Sequence, residues 1–236
     1  MLHIPMKNPF FLLVVALGLT ALFVQTAPAQ SSSSGTLTTP PASKADLEAI
    51  YTTGIENRTA DIIKPLNLTD PVVSSQVHDI IIAQYRALRS RDEVIDAKLK
   101  ADGKAINYAN RADELADASK PLHDQFLAKL GAVLTPDQVE KVKDMMTYNK
   151  VKFTYDAYCN IVPDLTDADK AKILELLKLA REEAIDGGSA PEKSSIFQKY
   201  KDQINQYLDA HGHDVATAMR EWKAKQVSAS AAPTNK

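Results

Sequence analysis

One cysteine, Cys159, is the only thiol in this chain of 236 residues. A disulfide framework within the chain is therefore excluded. The flanking Tyr155, Tyr158 and Val162 point to a helix around Cys159, so an inert buried thiol is the first reading and an intermolecular disulfide the alternative. Excess charge is missing too: 28 Lys and Arg against 30 Asp and Glu leave a net charge of −2. That balance gives no electrostatic case for nucleic acid or an anionic membrane as partner. Long apolar runs are limited to one, Phe10 to Val24, fifteen residues where a spanning helix needs about 20. Absent as well are G-x-S-x-G, Walker A, a dinucleotide fingerprint and H-E-x-x-H, so no cofactor is implied. The five histidines are His3, His78, His123, His211 and His213. His211-Gly212-His213 sits at an expected helix end, where histidine complements the helix dipole, and no metal site is expected.

What is present divides cleanly. Lys7, the run Phe10 to Val24 and Ala27-Pro28-Ala29 have the layout of a signal peptide over residues 1–29, with cleavage after Ala29. An uncleaved anchor is the rival reading of that run. Loss of Lys7 leaves a net charge of −3, and no cysteine follows the site to carry a lipid. Residues 30–43, QSSSSGTLTTPPAS, lack apolar periodicity and read as a disordered linker, as does the tail 228–236. The mature protein is then expected to be exported, periplasmic or extracellular, with no integral membrane segment. Two sequons, at Asn57 and Asn67, matter only in a host that glycosylates.

Between linker and tail, residues 44–227 carry three-and-four spacing almost throughout and no alternating strand. Helices are expected over Lys44 to Ile63, from Pro71 to about Gly103, and over Tyr108 to Leu130, where Pro121 must kink or divide the last. Leu134-Thr135-Pro136-Asp137-Gln138 offers a capping box, with a break near Met145 to Thr147 before helix resumes to Pro163. Thr166 caps the next helix, and Gly187 is expected to end it in the left-handed conformation. Ser189 and Glu192 fit a further capping box. A last helix from Asp214 buries Val215, Ala218, Met219 and Trp222. The fold class is all-α, a single-domain bundle of six or seven amphipathic helices. Leu-Thr precedes a helix three times, which a stapling Leu and a capping Thr explain.

Polar groups not needed for caps or core gather around Leu165 to Leu208. The candidates for ligand binding are Lys143, Asp144, Tyr148, Tyr155, Arg181, Glu182, Asp186, Ser189, Lys193, Lys199, Tyr200 and Asn205. A solvated face with ordinary core tyrosines is the bland explanation of the same residues.

Several stretches carry a resemblance. Lys143, Asp144, Met146, Thr147 and Tyr148 fit K-D-x-M-T-Y, and Thr154, Tyr155 and Tyr158 fit T-Y-x-x-Y. Ala180, Arg181, Glu182, Ala184, Asp186, Gly188 and Ser189 fit A-R-E-x-A-x-D-x-G-S. Glu192, Lys193, Ile196, Phe197, Lys199, Tyr200 and Lys201 fit E-K-x-x-I-F-x-K-Y-K, and Ile204, Asn205, Tyr207 and Leu208 fit I-N-x-Y-L. With these motifs the chain resembles a family of exported bacterial proteins classed only as a domain of unknown function, closely in its second half and loosely elsewhere. In that family a histidine commonly follows the Glu-Lys pair and a glycine the K-Y-K. Ser194 and Asp202 stand here, which counts against histidine chemistry at that point. The resemblance implies an exported, helical protein in a glycan-associated context, with no reaction assigned. A weaker similarity, to periplasmic helical chaperones with L-T-x-x-Q repeats, rests on Leu134 to Gln138.

Three functions follow as expectations. The first is binding of a small molecule, glycan or envelope protein in a groove formed by the second half. The second is an enzyme acting on an extracellular polymer with Glu182 or Asp186 as acid-base. The third is a chaperone-like cradle.

Overall fold

Ser43 is the first of the described residues: its hydroxyl accepts the Asp46 N–H at 3.1 Å while the Asp46 carboxylate accepts the Ser43 N–H at 2.9 Å. This box starts α1 (Lys44–Ile63). The computed structural model describes residues 43–231, which fall in one compact unit. The expected signal peptide, the expected linker up to residue 42 and the tail from 232 lie outside the described residues. A 3-10 turn (Lys64–Leu66) follows α1, and Asp70 caps α2 (Pro71–Ala101) by accepting the Val72 N–H at 2.8 Å. Asn107 caps α3 (Tyr108–Gly131), and Thr135 with Gln138 closes the expected box at α4 (Pro136–Met146). Then come α5 (Lys150–Ile161), α6 (Asp167–Ala184), α7 (Ala190–Ala210) and α8 (Val215–Ala231). Thr166 and Asp169 form a complete box at the start of α6.

The all-α class holds: among the described residues there is no strand, and the α-helices number eight rather than six or seven. The break near Met145 is a full separation, because Tyr148 and Asn149 both take left-handed backbone (φ 60° and 53°) and no α-helix continues through that conformation. Pro121 neither divides nor ends α3. The carbonyl that loses its partner belongs to Asp117, which is exposed, so water can satisfy it. α8 runs to Ala231, into the segment expected to be unstructured; among its described side chains only Val215 is buried, and Ala218, Met219 and Trp222 are half-buried. Leu47 and Ile50, at helical spacing near the start of α1, are exposed.

Two main cores are accompanied by a smaller cluster of Ile95 and Leu99 on α2 with Leu115 on α3. One is shared by α1 to α4 and contains Ile62, Val77, Ile81, Phe126, Leu130, Val142 and Met146. The other joins α5, α6 and α7 through Tyr158, Ile173, Leu177, Ala180, Ile196, Phe197, Ile204 and Leu208. Ile185, one residue past α6, belongs to the first core, whereas Ala184 belongs to the second. Full burial of that isoleucine contributes about 2 kcal/mol and draws the α6–α7 turn into the seam. The candidate site forms there.

Candidate functional site

The turn from Ile185 to Ser189 is held from three directions. Lys193 is buried, and its Nζ donates to the carbonyls of Ala184 at 2.7 Å and Ile185 at 3.2 Å, closing the end of α6. Burial pushes its ammonium pKa down to about 8. The two glycines serve close approach rather than the left-handed conformation expected of Gly187. Positive φ occurs at Gly103 and Gly212 but not at Gly187. A Cβ on Gly187 would lie 3.0 Å from Lys193 Cγ, and one on Gly188 would lie 1.8 Å from Asp92 Oδ2 on α2. The Ser189 box is half made: Ser189 Oγ accepts the Glu192 N–H at 3.2 Å, but Glu192 Oε2 accepts from Gly188 N–H at 3.0 Å rather than from Ser189. So fixed, the turn places Asp186 in the wall of a cleft.

That cleft has a volume of about 550 Å³ and lies between α3 and the α6–α7 hairpin. Small-molecule sites span roughly 300–1,000 Å³. One face of α3 supplies Tyr108, Ala112, Leu115, Ser119 and His123, and the hairpin supplies Glu183, Asp186, Glu192, Ile196 and Lys199. The Asp186 side chain is 10% exposed and pairs through Oδ2 with His123 Nδ1 at 2.8 Å. Its Oδ1 is buried without a hydrogen-bond partner among the described residues. The hydrogen bond to Asp186 raises the His123 pKa against the opposing cost of burial, so the imidazolium is favoured.

Glu183, by contrast, is saturated. Oε1 accepts from Tyr108 Oη at 3.0 Å and Lys199 Nζ at 2.8 Å, and Oε2 from Tyr200 Oη at 3.0 Å and Lys199 again. Burial, reinforced by this carboxylate, pushes the Tyr200 phenol up to about 12 and Tyr108 further in the same direction. Both hydroxyls spend their protons on Glu183 and offer only lone pairs elsewhere. Ser119 accepts from Arg91 at 2.8 Å. Glu192, its side chain 5% exposed, sits 4.0 Å from the Arg111 guanidinium. Burial raises its carboxyl pKa and the Asp92 charge adds to the rise. The charges balance in pairs, Lys199 with Glu183, His123 with Asp186 and Lys120 with Asp124.

The twelve residues predicted from sequence do not converge on one site. Asp186 and Lys199 line the cleft, and Tyr200 braces it through Glu183. Ser189 and Lys193 build the turn. Arg181, Glu182, Lys143 and Asp144 form a separate network that fastens α4 to α6. In it the Arg181 side chain, 4% exposed, donates to Asp144 at 2.6 Å, to Glu182 at 3.1 Å and to Glu140. Lys143 donates to Glu182 at 2.8 Å and pairs with Glu140. Tyr148 is exposed under the Arg58 guanidinium, 3.7 Å from its ring centre. Tyr155 packs against the second core, and Asn205 accepts the Tyr158 hydroxyl at 2.7 Å. The cleft lined by Asp186 and Lys199 is not made by the second half alone, since its facing wall is α3.

Sequence reading missed Tyr108, Ser119, His123, Glu183 and Glu192 as cleft residues. The signal for the first three was the spacing of 108, 112, 115, 119 and 123 along one helix face, and for Glu183 its place three residues before Asp186. A second cavity of about 610 Å³, between the end of α5 and α8, is lined by Trp222 and His213 among others, but His213 is engaged by Asp169 at 3.2 Å. Among the described residues no group of three or more His, Cys, Asp or Glu is placed to hold a metal, and no helix is long and apolar enough to cross a membrane.

The described residues form a bundle of eight α-helices with a cleft between α3 and the α6–α7 hairpin, and a family profile covers most of the chain. The chain belongs to the family described as "Protein of unknown function (DUF3826)", whose profile matches residues 52–228. No curated protein matches the chain.

Proposed function

We propose that this domain is an exported binding protein that takes a small, uncharged, hydroxyl-bearing ligand, such as a glycan fragment, in the cleft between α3 and α6–α7. The observation that carries the reading is the Asp186 carboxylate, with one oxygen tied to His123 and the other buried in the cleft wall without a partner. A buried acceptor left unmade costs about 1–3 kcal/mol in the free protein, and a ligand donor relieves that cost. Charge balance argues for a neutral ligand. A hydroxyl suits the mixture of groups on offer, since it donates to Asp186 Oδ1 or a tyrosine oxygen and accepts from the serine hydroxyl. Leu115, Ile196 and Ala112 give apolar surface for the carbon face of such a molecule. Export is supported by the N-terminal layout of basic residue, apolar run and small-residue site.

Titration calorimetry with a panel of neutral oligosaccharides tests the reading. Asp186→Asn is expected to weaken binding by roughly 10–100-fold, the range of one hydrogen bond to a charged group. Equal affinity of Asp186→Asn and the parent protein would remove the cleft as the site.

A further inference from the structure

We propose that the second cavity, between the end of α5 and α8, binds a small organic ammonium ion, with the Trp222 ring as platform and Asp164, Asp214 and Glu221 as counter-charges. This site is separate from the α3 cleft and independent of what that cleft binds. Two turns of the chain border the cavity. Asp164, after α5, and Gly212, before α8, both take left-handed backbone, with φ of 57° and 90°. Among the described side chains of α8 only Val215, its first residue, is buried, so the helix is anchored at one end. The space between α8 and the end of α5 measures about 610 Å³. A Cβ on Gly212 would meet no atom within 4 Å, which places open room at that wall. The volume falls in the usual range for a small-molecule site.

The lining decides the ligand class. Its apolar part is Ile161, Val162, Pro163 and Ala218 with the half-buried indole of Trp222. Of the aromatic side chains, tryptophan attracts a cation most strongly. Among the described residues cations lie over the rings of Tyr51, Tyr148, Phe197 and Tyr200, and none lies over Trp222. The charged part of the lining is Asp164, Asp214 and Glu221 against Lys225, three negative charges to one positive. His213 adds nothing to the positive side, because Asp169, outside the lining, matches it at 3.2 Å. Asp214 spends one oxygen on the Thr217 N–H at 2.9 Å, capping α8. No hydrogen bond or ion pair engages the side chains of Asp164 and Glu221 among the described residues. In the α3 cleft the charges pair off and suit a neutral ligand. Here an uncovered indole stands beside a net negative wall, and a cation is attracted by both. A bare metal ion fits less well, since among the described residues no three of these groups converge to hold one. An ammonium ion needs no such coordination shell, and its carbon substituents suit the apolar lining.

Trp222 is the only tryptophan of the chain, so indole fluorescence reports on this cavity. The full-length protein is titrated with choline, with cadaverine and with the neutral alcohol that replaces the choline nitrogen by carbon, and calorimetry runs in parallel. Expected is a saturable change of emission below about 10 mM with at least one of the two cations. The neutral alcohol should bind at least about 10-fold more weakly than choline. Trp222→Leu should lower the calorimetric affinity for the cation by about 10-fold. Glu221→Gln should lower it by about 2–5-fold, and added salt should weaken binding to the parent protein. Where Trp222→Leu fails to fold, judged by circular dichroism, Glu221→Gln decides, because Glu221 is exposed and the variant keeps the fluorescent ring. Equal affinity for choline and its neutral counterpart overturns the cation as ligand. Unchanged affinity in a folded Trp222→Leu protein, or in Glu221→Gln where it alone folds, overturns this cavity as the site. No saturable response to either cation overturns the proposal as a whole.

Discussion

Gly188 and Asp92, on opposite sides of the seam, approach so closely that a single methyl on the glycine would lie 1.8 Å from the aspartate Oδ2. This contact ties the site turn to α2. It predicts that Gly188→Ala destabilises the fold by about 1–3 kcal/mol, the usual cost of overpacking. Asp92→Ala also destabilises, because Asp92 accepts from the buried Arg91 guanidinium at 2.7 Å. The two changes together should cost less than their sum by about 1 kcal/mol or more, measured by urea denaturation of all four proteins. Strict additivity would mean that the clash is relieved some other way.

Arg181 is expected to matter for stability and not for the ligand. Its guanidinium is nearly buried, while Glu140, Asp144 and Glu182 keep a third to a half of their side chains in water and can resolvate. Arg181→Met should therefore cost about 2–3 kcal/mol, below the ~3–5 kcal/mol of breaking a fully buried pair. Affinity for any ligand of the cleft should stay within about twofold of the parent value. A large loss of affinity in a folded Arg181→Met protein would move the site to the α4–α6 face.

His123 and Lys193 give stability opposite dependences on pH. The folded pKa of His123 lies above its ordinary value of 6.5, so the folded state binds more protons. Its contribution is complete below pH 6.5 and is lost as pH rises through the folded value. Lys193 is shifted down, to about 8 from 10.5. Above pH 8 the unfolded chain holds the extra proton, and stability rises with pH. Denaturant midpoints of the parent minus those of His123→Gln should fall from pH 6 upward. The difference between the parent and Lys193→Met should change in the parent's favour between pH 8 and 10. A flat difference curve for either pair would show that the group titrates alike folded and unfolded.

Much of the fold was legible because the signals are local. Thr135 with Gln138 and Thr166 cap their helices as read, since a cap involves residues three apart. The motif residues Asp186, Lys199 and Tyr200 do reach or brace the cleft. The glycine turn was located correctly and explained wrongly. A glycine needed for left-handed backbone and one needed for close approach look the same in sequence, and only the position of Asp92 and Lys193 tells them apart. The split between α4 and α5 was seen as a break but undercounted, because left-handed backbone at Tyr148 and Asn149 has no glycine to announce it.

The sequence by itself determined the helical class, most helix starts and the two apolar stripes of the α6–α7 hairpin, all set by spacing within a few residues. The tertiary structure decided which polar side chains share a cleft. Arg181 and Asp186 are five residues apart, yet one faces α4 and the other pairs with His123, 63 positions earlier in the chain. Helical rotation between them sends the two side chains to different partners, and the packing of α3 against the seam makes one of them a site and the other a brace.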